Sequence, residues 1–215
     1  MATTTAEPWD VRRVHRELYA PPRELALVRV PPLDVIVVDG EGDPNTAPAY
    51  AGAVQALFTL AYALRFQDRA EGRDGRVGPL EALWRAADPR AFTRREKDAW
   101  AWTALLTLPA GTTDEALERA RASAAARKPL VALDRPRRRT LDEGLCVHVL
   151  HVGPYNEEGP VLARLHEEFL PAHGLTFAGD HHEVYLNDPR RTRPERLRTV
   201  LRQPVRPLDA GLTDR

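Results

Sequence analysis

His181-His182-Glu183-Val184-Tyr185-Leu186-Asn187-Asp188-Pro189 reads as a strand with a defined end. Alternate residues of an extended segment share a face, which puts Glu183 and Tyr185 on one side and Val184 and Leu186 on the other. A carboxylate and a phenol therefore stand side by side. Asn187 and Asp188 favour a turn, and Pro189 cannot continue a ladder. An unpaired buried carboxylate costs several kcal/mol, so Glu183 is either paired or faces a pocket.

Immediately upstream, residues 145–152 are β-rich and end at Gly153-Pro154-Tyr155. Asn156, Glu157 and Glu158 then place acceptors and negative charge at a helix start, with Pro160 in the first turn. Val161, Leu162, Leu165 and Phe169 supply its apolar face, and Gly174 its stop. A strand over 197–205 follows the Glu183 strand, and 207–215 reads as a tail.

The first half repeats this order. Asp10 caps a short helix carrying Val11, Val14 and Leu18, which Pro21-Pro22 ends. After Pro31-Pro32 comes a strand over 34–38, then the loop Asp39-Gly40-Glu41-Gly42-Asp43-Pro44-Asn45. Three acidic residues and the lack of a P-loop lysine exclude a phosphate cradle there. Asn45 or Thr46 caps a helix to about Gln67, with Tyr50, Val54, Leu57, Ala61 and Leu64 in one stripe and Phe58, Tyr62 and Phe66 in a second. Core packing is the plain account of these aromatics, and Tyr62, with its polar tip, is the best candidate to leave the core. Residues 77–86 form a strand bearing Glu81 and Trp84, 88–98 a charged connection, and 100–108 a strand with Trp100 and Trp102 on one face. Thr112 and Glu115 have capping-box spacing before an alanine-rich helix to Arg127. The run from Arg135 to Arg139 reads as a solvated connector.

Strand, helix, strand carrying a glutamate, strand thus occurs twice, with Glu81 and Glu183 in similar places. The expected architecture is α+β: duplicated β-α-β-β units forming one antiparallel sheet, helices on one side and a central cleft. As a single domain it divides into an N-terminal docking helix and linker (1–24), a first unit (25–110), a connecting helix and basic loop (111–144), a second unit (145–206) and the tail.

The 215 residues carry 31 basic and 31 acidic side chains, so no global positive field exists to hold a phosphate backbone, and nucleic acid is disfavoured as a partner. Cys146 is the only cysteine, which rules out an intramolecular disulfide and a multi-thiolate metal site. No apolar stretch reaches membrane-spanning length and no leader pattern opens the chain. The expectation is a cytoplasmic protein without membrane contact, a monomer or weak homodimer. His148 and His151 fall on opposite strand faces, as do His181 and His182, so neither pair alone converges on a metal. Cys146, two residues from His148, reads as a small buried hydrophobe before a nucleophile.

The combination of Asp39-Gly40-Glu41-Gly42-Asp43-Pro44, Pro79-Leu80-Glu81-Ala82-Leu83-Trp84, Trp100-Ala101-Trp102, His151-Val152-Gly153-Pro154-Tyr155 and His182-Glu183-Val184-Tyr185-Leu186-Asn187-Asp188-Pro189 resembles the GyrI-like small-molecule-binding proteins, and in particular their stand-alone subfamily. The resemblance covers nearly the whole chain in order. It implies a duplicated fold whose aromatic cleft receives planar aromatic or cationic molecules. Some stand-alone members are cyclopropanoid hydrolases, which add water to the strained ring of DNA-alkylating compounds. The acidic position of the family's His-Glu-x-Tyr strand falls on Glu183 and its first-half partner on Glu81. Tyr155, Tyr185, Trp84 and Trp102 match the cleft aromatics. Only a short helix precedes the first repeat, so a fused DNA reader is not expected.

Two readings follow. One is a hydrolase needing no metal or cofactor, with Glu183 as general base and Tyr155 or Tyr185 as donor to the developing oxyanion; Glu81, Trp84, Trp102, Tyr62, Phe66 and His151 would hold the ligand. The other is a non-catalytic drug-binding or sequestering protein acting as sensor or carrier, in which Glu183 is a counter-charge. A hydrolase returns its ligand with one water added and a binder returns it intact.

Overall fold

The computed structural model of the protein describes residues 8–87, 97–127 and 132–208. Residues 88–96 of the connection expected over 88–98, and the tail beyond 208, lie outside them. The chain divides into two compact units, Met1–Arg16 with Pro32–Leu141, and Glu17–Pro31 with Asp142–Arg215. Nine strands lie among the described residues and their ladders are antiparallel. The class is mixed α+β, as the repeated element order implied.

The chain opens with two helical turns, α1 (Val11–Val14) and α2 (Arg16–Tyr19), and a strand, β1 (Ala26–Val30). Asp10 caps α1, its carboxylate accepting the Arg12 amide at 3.0 Å. The single helix expected to Leu18 breaks at His15, whose backbone is non-helical. β1 joins the second unit by pairing with Gly144–Leu145–Cys146–Val147–His148. Residues 25–31 therefore do not belong to the first unit, to which the sequence reading had given them.

The first unit runs β2 (Leu33–Glu41), α3 (Pro48–Ala70), β3 (Leu80–Ala86), β4 (Trp100–Thr107), α4 (Asp114–Arg127) and β5 (Arg137–Leu141), with strand order β3-β4-β2-β5. Ala47, not Asn45 or Thr46, occupies the N-cap of α3, because Asp43 draws the Asn45 amide into a side-chain turn at 2.9 Å. The cap of α4 slips by one residue: the Thr113 hydroxyl accepts the Ala116 amide at 3.2 Å. Residues 137–139 of the arginine run are in a strand and not a solvated connector. Its backbone pairs with β2, Arg137 is paired with Asp39, and Arg138 reaches Asp34 and Asp114 at 3.0 Å each. Charge pairing thus offsets the poor strand propensity of the run.

The second unit follows as β6 (Gly144–Val152), α5 (Gly159–Ala163), a π-helical stretch (Arg164–Phe169), α6 (Leu170–Ala172), β7 (Leu175–Phe177), β8 (His181–Tyr185) and β9 (Arg198–Pro207). Its strand order is β1-β6-β9-β8, with β7 on the far end of β9. Pro171 has no N–H to donate and crowds the carbonyl four residues back, so the preceding turn widens. The Leu170 amide accordingly reaches the Leu165 carbonyl. Leu165 and Leu170 pack on Val147 and Val205, which seats this helix on the face of β6 and β9 that carries those valines.

A buried charge cluster ties the second unit together. Glu143 accepts His182 Nδ1 at 2.9 Å and Arg202 Nη1 at 3.2 Å, while Arg202 Nη2 donates to the Leu18 carbonyl at 2.9 Å. Burial alone would raise the Glu143 carboxyl, but the charges and hydrogen bonds of His182 and Arg202 outweigh it and hold Glu143 down at about 2. A carboxyl depressed on folding stabilises above its ordinary value and loses that contribution as pH falls toward 2. Glu143→Gln is therefore expected to cost about 3–5 kcal/mol at neutral pH, since Arg202 is left buried without its counter-charge. The gap to wild type in urea denaturation should shrink between about pH 4.5 and 2; a gap independent of pH would contradict this account.

In the first unit Gly40 lies directly under the Trp102 ring, where an added Cβ would overlap the indole. Gly40→Ala should lower stability by about 1–3 kcal/mol by chemical denaturation, the cost of overpacking a filled core.

Candidate functional site

The two units are equivalent in a way that only the registers reveal. Gly40, Trp102 and Trp84 form one cross-strand row in the first unit, and His151, Thr199 and Tyr185 the corresponding row in the second. Two residues beyond each row's first member comes a glycine with positive φ, Gly42 or Gly153. A helix-entry tyrosine covers each row: Tyr50 stacks on Trp84 and meets Trp102 edge-on at 4.9 Å, and Tyr155 meets Tyr185 edge-on at 5.6 Å. Ala82, not Glu81, thus stands where Glu183 stands. Glu81 lies three residues before Trp84, on the opposite face of its strand, whereas Glu183 lies two before Tyr185, on the same face. Glu81 is wholly buried and accepts the Thr107 hydroxyl at 2.8 Å.

The repeat is therefore chemically unequal. In the first unit the row is aromatic and closed, with Trp102 fully buried and Trp84 5% exposed. In the second unit the same places hold His151, Thr199 and Tyr185, with Glu183 and His181 on the same face of β8.

Glu183 is partly exposed, its side chain 16% accessible. The Tyr185 hydroxyl donates to its Oε2 at 2.7 Å, and His181 Nε2 stands 3.6 Å from Oε1. His151 Nε2 lies 3.2 Å from the Pro154 carbonyl. A carbonyl only accepts, so that nitrogen carries the proton, which holds the ring beside the Gly153 turn. The Tyr155 hydroxyl is pushed up to about 12 by burial and by Glu158, Glu183 and Asp188, and it stays a donor.

The residue that the sequence reading treated only as helix-start charge is Glu158. It is 5% exposed between exposed Glu157 and Gly159. It occupies the N-cap of α5, yet its carboxyl makes no capping hydrogen bond, and Oε1 is buried without a partner. Burial, and then the negative charge of Glu183, push it up to about 9; the Thr199 hydroxyl offsets only part of this. A buried carboxyl beside a second carboxyl does not ionise cheaply, and at neutral pH Glu158 keeps its proton.

Tyr62 and Phe66 are 45% and 51% exposed on α3; Phe58 stacks beside Tyr62, and Arg127 lies over Phe66. His148 and His182 face away from Glu183 by strand alternation. Cys146 is buried and pushed up to about 12 by burial and by Glu143, so it remains a thiol. Tyr50 and Thr199 belong to the two rows, although the sequence reading gave them no role there. The register to Tyr185 identifies Thr199, and the ring contacts with Trp84 and Trp102 identify Tyr50.

A carboxyl whose value rises on folding costs stability as pH climbs from its ordinary value toward the raised one. Glu158→Gln cannot ionise and should be more stable than wild type, by an amount growing from near zero below about pH 4, through about 1 kcal/mol at pH 5, to on the order of 3 kcal/mol at pH 7. Thermal or urea unfolding of both proteins across this range checks it, and parallel curves would contradict it.

The profile of the GyrI-like small molecule binding domain matches residues 23–206. An uncharacterized conserved protein from Listeria innocua is 37% identical, with 92% of this chain and all of that one covered and a TM-score of 0.86. Two hydrolases from Listeria innocua are similar as well. One is 36% identical over 92% of this chain and all of its own, TM-score 0.81, and the other 34% identical over 93% and all of its own, TM-score 0.83. No curated protein matches the sequence. No helix among the described residues is long and apolar enough to cross a membrane.

Proposed function

Because the chain belongs to the GyrI-like small molecule binding domain family, we propose that its second unit binds a flat conjugated small molecule beside Glu183 and hydrolyses it, the target being the strained cyclopropane of a DNA-alkylating cyclopropanoid. The observation that carries this reading is the Glu183 carboxylate, with one oxygen fixed by Tyr185 and the other facing His181. Likeness to hydrolases at 34–36% identity supports it.

Such a ring needs three things. A water must be deprotonated as it attacks the methylene, the carbon–carbon bond must break, and the conjugated carbonyl must accept the released pair. Glu183 is the base, and its Tyr185 hydrogen bond fixes the orientation of the carboxylate. The edge-on pair of Tyr155 and Tyr185 supplies an aromatic wall for a planar ligand, each ring contributing roughly 0.5–1.5 kcal/mol beyond its buried area. The first unit's row, already filled by Tyr50 and the tryptophans, is given no catalytic part, and neither is Glu81, which is buried on the opposite face of its strand.

General-base assistance is worth about 10²–10⁴-fold. Glu183→Gln should slow single-turnover water addition to a cyclopropyl-dienone by that factor, read by mass spectrometry, while Glu81→Gln keeps the wild-type rate wherever it stays folded. Near-wild-type turnover in folded Glu183→Gln would remove Glu183 from the mechanism. A ligand returned intact by wild type would favour the sensor or carrier reading.

A further inference from the structure

We infer that Glu158 is the acid of this site, its carboxyl O–H donating to the acceptor oxygen of the bound ligand while Glu183 takes the proton of the attacking water. The inference rests on the reading of Glu183 just given and names the chemistry its ligand must bring, a neutral conjugated carbonyl. Three observations carry it. Glu158 is buried in a turn whose adjacent residues are exposed. It stands at a helix N-cap, where a carboxylate has backbone amides to accept, and takes none of them. Its Oε1 has no partner among the described residues. A structural carboxyl so placed would cap the helix or reach solvent; an oxygen of it left unsatisfied inside is a standing cost.

The competing donors fit less well. The Tyr185 hydroxyl is engaged on Glu183. Tyr155 holds its proton too tightly, at about 12, to give it up to a phenolate product, whereas an acid nearer the working pH transfers it readily.

The step balances within the pair. A water oxygen forms a bond to the methylene, the cyclopropane carbon–carbon bond breaks, and its electron pair enters the conjugated ring as the carbonyl oxygen takes the Glu158 proton. Glu183 receives the proton lost by water. The product is an alcohol and a phenol, and transfer of that proton from Glu183 back to Glu158 restores the starting state with none gained or lost overall. One proton shared by two carboxyls therefore serves each cycle.

The test uses infrared spectroscopy of a cyclopropyl-dienone carrying a ¹³C carbonyl, bound to the slow Glu183→Gln protein, with and without Glu158→Gln. The carbonyl stretch should fall on binding and return toward the free value when Glu158 is replaced, since an amide N–H is the weaker donor. In the otherwise wild-type chain, Glu158→Gln should lower turnover by about 10²–10⁴-fold with KM little changed, and Tyr155→Phe by much less. An unshifted carbonyl, a shift indifferent to Glu158, or a Glu158→Gln protein of wild-type turnover would each overturn the inference. If wild type returns the ligand intact while the Glu158-dependent shift is present, the donor stands and it is hydrolysis that fails.

Discussion

A buried carboxyl beside a second carboxyl resists ionisation, and the candidate site of the second unit is arranged around that constraint. Glu158 comes from the helix entry and Glu183 from the strand beneath it. Their repulsion, added to burial, leaves a proton on Glu158. The other features of the site serve this division. The Tyr185 hydroxyl donates to Glu183 at 2.7 Å and fixes the direction of that carboxyl. Gly153, with φ of 148°, turns the chain where a Cβ would crowd His151 and Glu157, and so brings the helix entry and Glu158 over the sheet.

Holding such a pair costs stability, and the second unit offsets it on the other face of the same strands. His182 follows His181 and precedes Glu183, and it is locked to Glu143 together with Arg202. Because a one-residue slip would exchange the two faces of β8, this buried cluster also fixes which side Glu183 occupies. Removing either partner would leave a buried charge, so the register of β8 is strongly specified. In the first unit the corresponding place of His182 is taken by Glu81, held by Thr107. The duplication is preserved as geometry while its chemistry has diverged.

Much of this was legible in the sequence. The alternation of Glu183 and Tyr185, the turn at Asn187-Asp188-Pro189, the order strand-helix-strand-strand in both halves and the Asp10 cap all follow from local rules, and the structure shows them. What could not be read was anything set by pairing across the chain. The arginine run became a strand because β2 offered it a ladder and Asp34, Asp39 and Asp114 offered it charges. Residues 26–30 paired forward with β6, more than a hundred positions away. The two glutamates looked equivalent by element order, yet one residue of register puts them on opposite faces relative to their own aromatic rows. Glu158 was hidden for a related reason: an acidic residue at a helix start has an ordinary explanation, and only the absent capping bond removes it.

The central claim is that Glu183 activates a water and does not itself attack the ring. A single turnover of a cyclopropyl-dienone in ¹⁸O-enriched water, with enzyme in excess, decides it directly. The account predicts one ¹⁸O in the new alcohol of the product at first turnover and no label in the Glu183 carboxylate. Product carrying unlabelled oxygen, which must come from a carboxylate ester formed on the protein, would contradict it, as would recovery of the ligand without any added oxygen.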